Sequence, residues 1–345
     1  MNPIVTIKKK HRLLPVLLFL SLLTACTSSE PKLWESRGKT MGTTWLVKFT
    51  AGPTVDVDAI SEGVQQQLDR VNNLMSTWVE DSDISRFNRY RGQDSMEIDP
   101  HTVRVIQNAI DIAQKTDGAL DPTLSPLIEI WGFGKKERDP EFPSDELIAD
   151  TLAKVGLQHL QLSGTRLGKA VPELTLNLGA NAKGYGVDVV ATFLESKGID
   201  QYMVEVGGEV RTAAPASRKN PWRIGISDPD NAATGGLIRI AQLRNHALAT
   251  SGDYRLFFEK DGVRYSHILD PKTGRPIPER ITSVSVIAPD CMTADALATA
   301  LMVLDPDQAL TIVESMPEVE CLIFVRENGQ ITEHPSTGMK AFLAE

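Results

Sequence analysis

Four stretches of this sequence place polar, charged and glycine residues at spacings that chemistry can use. In Leu174-Thr-Leu-Asn-Leu-Gly179-Ala-Asn-Ala-Lys183-Gly184-Tyr185, a strand is expected to run into a glycine-bearing turn and then a helix whose first turn carries Lys183. Exposed N–H groups and the helix dipole at such a start favour a phosphate. The Gly-Lys-Ser/Thr order of a Walker A loop and the G-x-G-x-x-G fingerprint are both missing, so a plain strand-to-helix turn competes with that reading. Thr293-Ala-Asp295-Ala-Leu-Ala-Thr299 sets a carboxylate and a hydroxyl four residues apart, on one face of a helix, with Leu297, Leu301 and Leu304 available to the core. One anionic and one neutral oxygen suit Mg²⁺, which uses few protein ligands and completes its shell with water and substrate phosphates. Helix capping by Thr293 or Asp295 is the alternative. In Tyr265-Ser-His267-Ile-Leu-Asp270-Pro-Lys-Thr273-Gly274, a strand delivers His267 to a turn. Histidine titrates near neutrality and can take a proton from a hydroxyl nucleophile, although a lone strand histidine is more often structural. Gly118-Ala-Leu-Asp121-Pro and Trp131-Gly-Phe-Gly134 combine turn formers with aromatics, suited either to flank a planar ring or to anchor an ordinary loop.

The elements that must hold these groups alternate strand and helix signals, with no repeat at a period of about 20–50 residues. Thr44–Phe49 reads as a strand, and Ile60, Val64, Leu68, Val71 and Met75 then recur at helical spacing. Asp99-Pro100 opens a second helix with Val103, Ile106, Ile110 and Ala113 on one face, and Ser144 caps a third. Further strands are expected at Leu174–Leu178, Tyr202–Val206, Trp222–Ile226, Leu237–Leu243, Arg264–Leu269, Ser283–Ile287 and Cys321–Val325. Several follow one another without room for a crossover helix, which predicts an α+β fold with a largely antiparallel sheet, not a doubly wound one.

The composition supports a sizeable core, with 345 residues, 41% of them hydrophobic and 23% charged. An excess of 45 acidic over 36 basic residues argues against a nucleic-acid binder that relies on a basic surface, and three cysteines exclude a disulfide-built scaffold. The start of the chain differs from the rest. Lys8, Lys9, Lys10 and Arg12 precede an apolar run from Leu13 to Leu23 that is broken only by Pro15 and Ser21. This is the pattern of a secretory signal over residues 1–25. It ends in Leu23-Thr24-Ala25-Cys26, which resembles a bacterial lipobox in which Cys26 becomes the lipidated first residue; an ordinary signal with a chance cysteine is the alternative. The expected organisation is a signal peptide (1–25), a lipidated start and tether (26–36), and one domain (37–345) attached to the inner or outer membrane and facing the periplasm. Cleavage before Cys26 removes four basic and no acidic residues and leaves a formal charge of −13. That field is the wrong sign for an anionic ligand, so a divalent cation, Lys183 and a helix start have to act together to overcome it. Cys291 and Cys321 read equally well as a periplasmic disulfide or as two buried thiols.

Taken in order, ten segments resemble the ApbE family of FAD:protein FMN transferases. They are Lys39-Thr-Met41-Gly-Thr-Thr44, Ser76-Thr-Trp78, Ser85-Arg-Phe-Asn88, Lys115-Thr-Asp-Gly-Ala-Leu-Asp121-Pro, Trp131-Gly-Phe-Gly134, Leu178-Gly-Ala-Asn-Ala182-Lys183-Gly-Tyr185, Val206-Gly-Gly208, Thr250-Ser-Gly-Asp253-Tyr254, Ser266-His-Ile-Leu-Asp-Pro-Lys-Thr-Gly274 and Ala294-Asp295 to Thr299. The resemblance implies an ApbE-like, T-fold-related domain that splits the FAD pyrophosphate with Mg²⁺, passes FMN to a threonine or serine hydroxyl, and releases AMP. It implies acceptors among the periplasm-exposed flavoprotein subunits of Na⁺-pumping NADH:quinone oxidoreductase or Rnf-type complexes. It further implies metal ligation by Asp295, Thr299 and the main-chain oxygen of Ala182, and positive potential from Lys183. Flavin and adenine contacts would come from Met41, Trp78, Ala119, Leu120, Asp121, Gly179, Tyr185 and Leu269, with His267 as the candidate base. The family's usual Asp-Leu-Gly-Gly-Ile-Ala-Lys-Gly run differs here, since Asn177 replaces the acid, Ala180 the second glycine and Asn181 the apolar residue. An Mg²⁺-dependent FAD pyrophosphatase and a non-catalytic flavin-binding lipoprotein stand as the alternatives.

Overall fold

Eight strands lie side by side in chain order: Lys32–Thr40 (β1), Thr43–Ala51 (β2), Tyr202–Val206 (β3), Glu209–Ala213 (β4), Ala247–Gly252 (β5), Ile281–Ala288 (β6), Glu320–Glu327 (β7) and Gln330–Pro335 (β8). Each is antiparallel to its neighbours, so the expected α+β class and sheet type are what the chain forms. The structure is a computed structural model that describes residues 30–134, 141–231, 234–253, 256–260 and 262–344; residues 1–25 and Cys26 lie outside them. Among the described residues no helix is long and apolar enough to cross a membrane.

Among the described residues eight α-helices accompany the sheet: Val57–Met75 (α1), Asp83–Arg89 (α2), Pro100–Lys115 (α3), Ser125–Ile130 (α4), Asp145–Leu152 (α5), Ala182–Ser196 (α6), Cys291–Leu301 (α7) and Pro306–Glu314 (α8). Their starts follow the sequence signals. Asp99 caps α3 with Pro100 in its first turn, and the Ser144 hydroxyl accepts from the Leu147 N–H at 3.2 Å to cap α5. The apolar stripe of α1 packs Ile60, Val64 and Leu68 with Val190 and Leu194 of α6 against Val47, Phe49 and Val204 of the sheet. Farther along, Leu297 and Leu301 of α7 and Val313 of α8 cover Val284, Val286 and Ile323. The hairpin Trp222–Ser227/Leu237–Leu243 closes the opposite face there, bringing Trp222, Ile224 and Leu243 to Leu248, Ile287 and Phe324. Covered on both sides, β6 is buried at every residue, whereas β2 alternates.

Two expected strands form differently. Leu174–Leu178 belongs to no strand, although Leu174, Leu176 and Leu178 are all buried. Side chains and a loop carbonyl satisfy its backbone in place of a ladder. Asn88 accepts the Leu176 N–H at 2.7 Å and donates to the Leu176 carbonyl at 2.9 Å, Lys169 Nζ donates to the Leu174 carbonyl at 2.8 Å, and the Asn177 N–H donates to the Pro122 carbonyl at 2.8 Å. The alternation therefore records which side meets the core, not a pairing partner. The strand expected over Arg264–Leu269 is interrupted: Val263–Ser266 pairs with Phe257–Lys260, Leu269–Asp270 pairs with Arg275–Pro276, and His267 sits at the break.

Lys169 is only 4% exposed, and its Nζ also donates to the Phe87 carbonyl at 2.9 Å. Burial, reinforced by the charge of Arg91, lowers its pKa from 10.5 to about 8. The unfolded chain then binds more protons than the folded one between those values, so this group's contribution to stability rises as the pH climbs from about 8 to 10.5. In denaturant titrations the native chain should gain stability relative to Lys169→Met across that window; a pH-independent difference would contradict the buried ammonium.

Candidate active site

The starts of α6 and α7 meet at the end of the sheet where β4 begins and β5 ends. At the first of them, Asn181 turns its amide inward, donating to the Val105 carbonyl at 2.9 Å and to Asn108 Oδ1 at 3.0 Å. This accommodates a polar residue where the family run has an apolar one. Lys183 follows in the first turn of α6, as expected. The second helix is capped by Asp290, whose carboxylate accepts the Thr293 N–H at 2.8 Å. Asp188 of α6 adds to this by accepting the Cys291 and Met292 N–H groups at 3.0 and 2.9 Å while pairing with Arg211 at 2.7 Å. Capping is thus done by other carboxylates, and Asp295 is available for chemistry.

Asp295 is 3% exposed. Its Oδ2 accepts the Gly184 N–H at 2.9 Å and its Oδ1 lies 3.4 Å from Lys183 Nζ, which in turn lies 2.8 Å from Glu209 Oε1. Burial pushes the Asp295 carboxyl well above the usual carboxylate range; Lys183 pulls it down and the Glu209 carboxylate pushes it further up. The two helices touch at Gly184, where a Cβ would lie 2.3 Å from the Cys291 carbonyl oxygen and 2.8 Å from Asp295 Cβ. Helix backbone cannot swing aside as a side-chain tip can. Gly184→Ala should therefore force α7 away from α6, cost about 1–3 kcal/mol of stability and displace Asp295; an alanine variant that melts with the native chain would contradict this close approach.

Above this pair opens a cavity of about 310 Å³, whose walls include Ala119, Leu120, Asp121, Gly179, Lys183, His267, Leu269, Asp295 and Thr299. A second cavity of about 550 Å³ carries Met41, Trp78, Gly179, Ala182 and Lys183. The two share Asn177, Gly179 and Lys183, so they adjoin at the turn leading into α6. A third of about 710 Å³ meets both at Asn177, with Trp78, 74% exposed, on its wall. Asn177 shapes the junction, since its Oδ1 accepts the Gly179 N–H at 2.8 Å. Met41 reaches the second cavity because the turn between β1 and β2 gives it φ +47 and gives Gly42 φ +73, the paired positive values of a tight two-residue hairpin. Asp121 accepts the Thr123 N–H at 2.8 Å, and burial raises its carboxyl above the ordinary range.

Tyr185 stands apart from the other residues singled out. It lines none of these three cavities; it is buried with its hydroxyl 2.5 Å from His101 Nδ1 and the Arg104 guanidinium over its ring. Trp131 is a core anchor, its Nε1 donating to the Gly274 carbonyl at 2.8 Å, and Phe133 stacks on Phe258 at 5.2 Å. Cys291 and Cys321 are buried free thiols, which settles that pair against a disulfide, and burial pushes the Cys321 thiol up to about 12.

The Leu256 carbonyl helps to orient His267. The Leu256 oxygen lies 2.9 Å from Nδ1 and also accepts the His267 N–H at 3.2 Å. A carbonyl only accepts, so Nδ1 carries the proton and the basic lone pair of the neutral ring is on Nε2. Two further groups escaped sequence reasoning. Glu209, 1% exposed, lines the first cavity, and Ser251 Oγ lies 3.1 Å from Thr299 Oγ1. The signal for Glu209 was the preceding Gly207-Gly208 doublet, whose φ values of +64 and +106 turn the chain so that β4 begins on the carboxylate.

Among the described residues no three His, Cys, Asp or Glu side chains converge as a metal cage. Mg²⁺ asks for less: hard oxygens, one or two of them carboxylate, beside a place for phosphates. Asp295 and Thr299 present a buried carboxylate and a hydroxyl to one cavity, and a carboxylate held in so apolar a place gains from a cation. The donor set fits.

In this α+β fold, two cavities adjoin where an ammonium, a carboxylate and a helix start converge, an arrangement that suits a ligand with an anionic centre. The chain belongs to the ApbE family, whose model matches residues 41–323. It is 41% identical over 327 residues to the FAD:protein FMN transferase of Vibrio cholerae serotype O1, covering 94% of this chain and 97% of that protein. A structure of flavin transferase ApbE from Vibrio cholerae matches with a TM-score of 0.83 at 40% identity, over 91% of this chain and 100% of that one. The flavinyl transferase ApbE of Pseudomonas stutzeri, in its apo form, matches with a TM-score of 0.82 at 34% identity, over 91% and 97%.

Proposed function

We propose that this chain transfers FMN from FAD to a serine or threonine hydroxyl of a target flavoprotein, forming a phosphoester and releasing AMP. The observation that carries the proposal is the meeting of Lys183, Asp295 and Thr299 where two cavities adjoin, a place for a pyrophosphate with a ring system on either side.

The acceptor oxygen attacks the phosphorus on the riboflavin side. The bond from that phosphorus to the bridging oxygen breaks, and AMP departs with the bridging oxygen. The hydroxyl proton passes to Nε2 of His267, held in place through Nδ1 by the Leu256 carbonyl. Phosphoryl transfer asks a protein chiefly for positioning and for compensation of negative charge. Lys183 and the start of α6 supply that compensation at the junction. Asp295 and Thr299 would hold Mg²⁺, with the Ala182 carbonyl as a third donor by family resemblance; when bound, the ion contributes further charge neutralisation on the phosphate oxygens. Ala119, Leu120 and Leu269, each at most 5% exposed, give the first cavity an apolar wall that keeps water from competing with the acceptor.

We infer also that the mature chain is lipidated at Cys26, that the tether to a membrane facing the periplasm is shorter than the expected 26–36 and ends where β1 begins at Lys32, since Lys32–Ser36 pair with β2 as part of the domain, and that its acceptors are periplasm-exposed subunits of Na⁺-pumping NADH:quinone oxidoreductase or Rnf-type complexes. The residues before Cys26 have the order of a lipoprotein signal, and the acidic mature chain leaves anion binding to local devices. Cells lacking this chain should lose covalent flavin fluorescence from such a subunit on a denaturing gel and regain it with the native chain. An unchanged flavin pattern would contradict the proposal.

A further inference from the structure

Glu209 is a buried carboxylate at the first residue of β4, on the wall of the cavity that holds Asp295 and Thr299. Its Oε1 forms an ion pair with Lys183 Nζ at 2.8 Å, whereas Asp295 Oδ1, which accepts a long hydrogen bond from the same ammonium, lies farther off at 3.4 Å. The lysine thus stands between two carboxylates, drawn to the side of Glu209. The other oxygen of Asp295 is committed to the Gly184 N–H at 2.9 Å, which leaves Oδ1 as the oxygen that a cation and the ammonium would contest.

We propose that Glu209 is a positioning residue that holds Lys183 off Asp295 Oδ1 and thereby raises the affinity of the site for a divalent cation. The inference rests on the reading of Asp295 as a cation ligand. A lysine ammonium is a compact charge on a flexible stem, and without a tether it settles on the nearest buried carboxylate. Relieved of Glu209, Lys183 pairs fully with Asp295, and an incoming cation must displace it. Because Glu209 starts a strand of the main sheet directly after the tight Gly207-Gly208 turn, its own position is set by the fold, and the tether is rigid.

The test is Mn²⁺ binding to the full chain without FAD, read by the loss of the free-ion electron paramagnetic resonance signal. Glu209→Ala should weaken binding about 10- to 100-fold, and the double variant Lys183→Met/Glu209→Ala should recover it, because the competing ammonium is gone. Glu209→Gln, which keeps an oxygen for Lys183, should fall between native and alanine variants and provides the comparison should the alanine variant not fold. Native affinity in both Glu209 variants would overturn the proposal. So would a loss that persists in full when Lys183 is also removed, since Glu209 would then be a ligand itself. Failure of the underlying reading looks different: Asp295→Asn would bind Mn²⁺ as tightly as the native chain.

Discussion

Replacing Asp295 by Asn is expected to lower AMP release from FAD by at least about 10³-fold while FAD still binds. The substitution preserves shape, and the amide oxygen can still accept the Gly184 N–H that fixes the side chain at the α6–α7 contact. What disappears is the negative charge, and with it the only anionic oxygen in the proposed donor set. Lys183 also loses a carboxylate at 3.4 Å and keeps the one at 2.8 Å, so the ammonium stays in place and the effect reports on the cation. Rates at saturating FAD and Mg²⁺, alongside a cation titration, check this. Turnover near the native rate would sink the metal assignment.

His267→Gln should slow FMN transfer about 10²- to 10⁴-fold, the usual contribution of a general base, with FAD affinity little changed. Glutamine can replace the hydrogen bond to the Leu256 carbonyl through its amide N–H, but it cannot take a proton at neutral pH. The loss should lie in kcat rather than in KM for FAD, because the deleted interaction belongs to the moving proton. Native rates in this variant would remove His267 from the reaction and leave it as the peg that joins two short hairpins at the break between Ser266 and Leu269.

Much of the architecture was legible because local signals and burial agree. The α1 stripe from Ile60 to Met75 is buried where its period predicts, and Asp99-Pro100 and Ser144 start helices as caps should. Leu174–Leu178 misled because alternation reports a buried side, and nothing in its own sequence shows that Asn88, 88 positions away from Leu176, takes the place of a neighbouring strand. The same limit applies to the site. Asp295 and Thr299, and Lys183 with Gly179, were visible through spacing, since helix geometry and a glycine turn are local properties. Tyr185, beside Lys183 in sequence, turns into the core against His101 because successive helical residues face different ways. Glu209 could not be found from spacing, since its relation to Lys183 depends on a strand of the sheet meeting the start of a distant helix.

The most direct measurement is the ratio of AMP released to FMN covalently attached when the purified chain, FAD and Mg²⁺ are mixed with an acceptor domain and followed by intact mass. Transfer through the Lys183–Asp295 junction predicts one bound FMN for each AMP, and neither product with Asp295→Asn. AMP accompanied only by free FMN, or tight FAD binding without any AMP, would contradict a transferase and leave a hydrolase or a flavin carrier in its place.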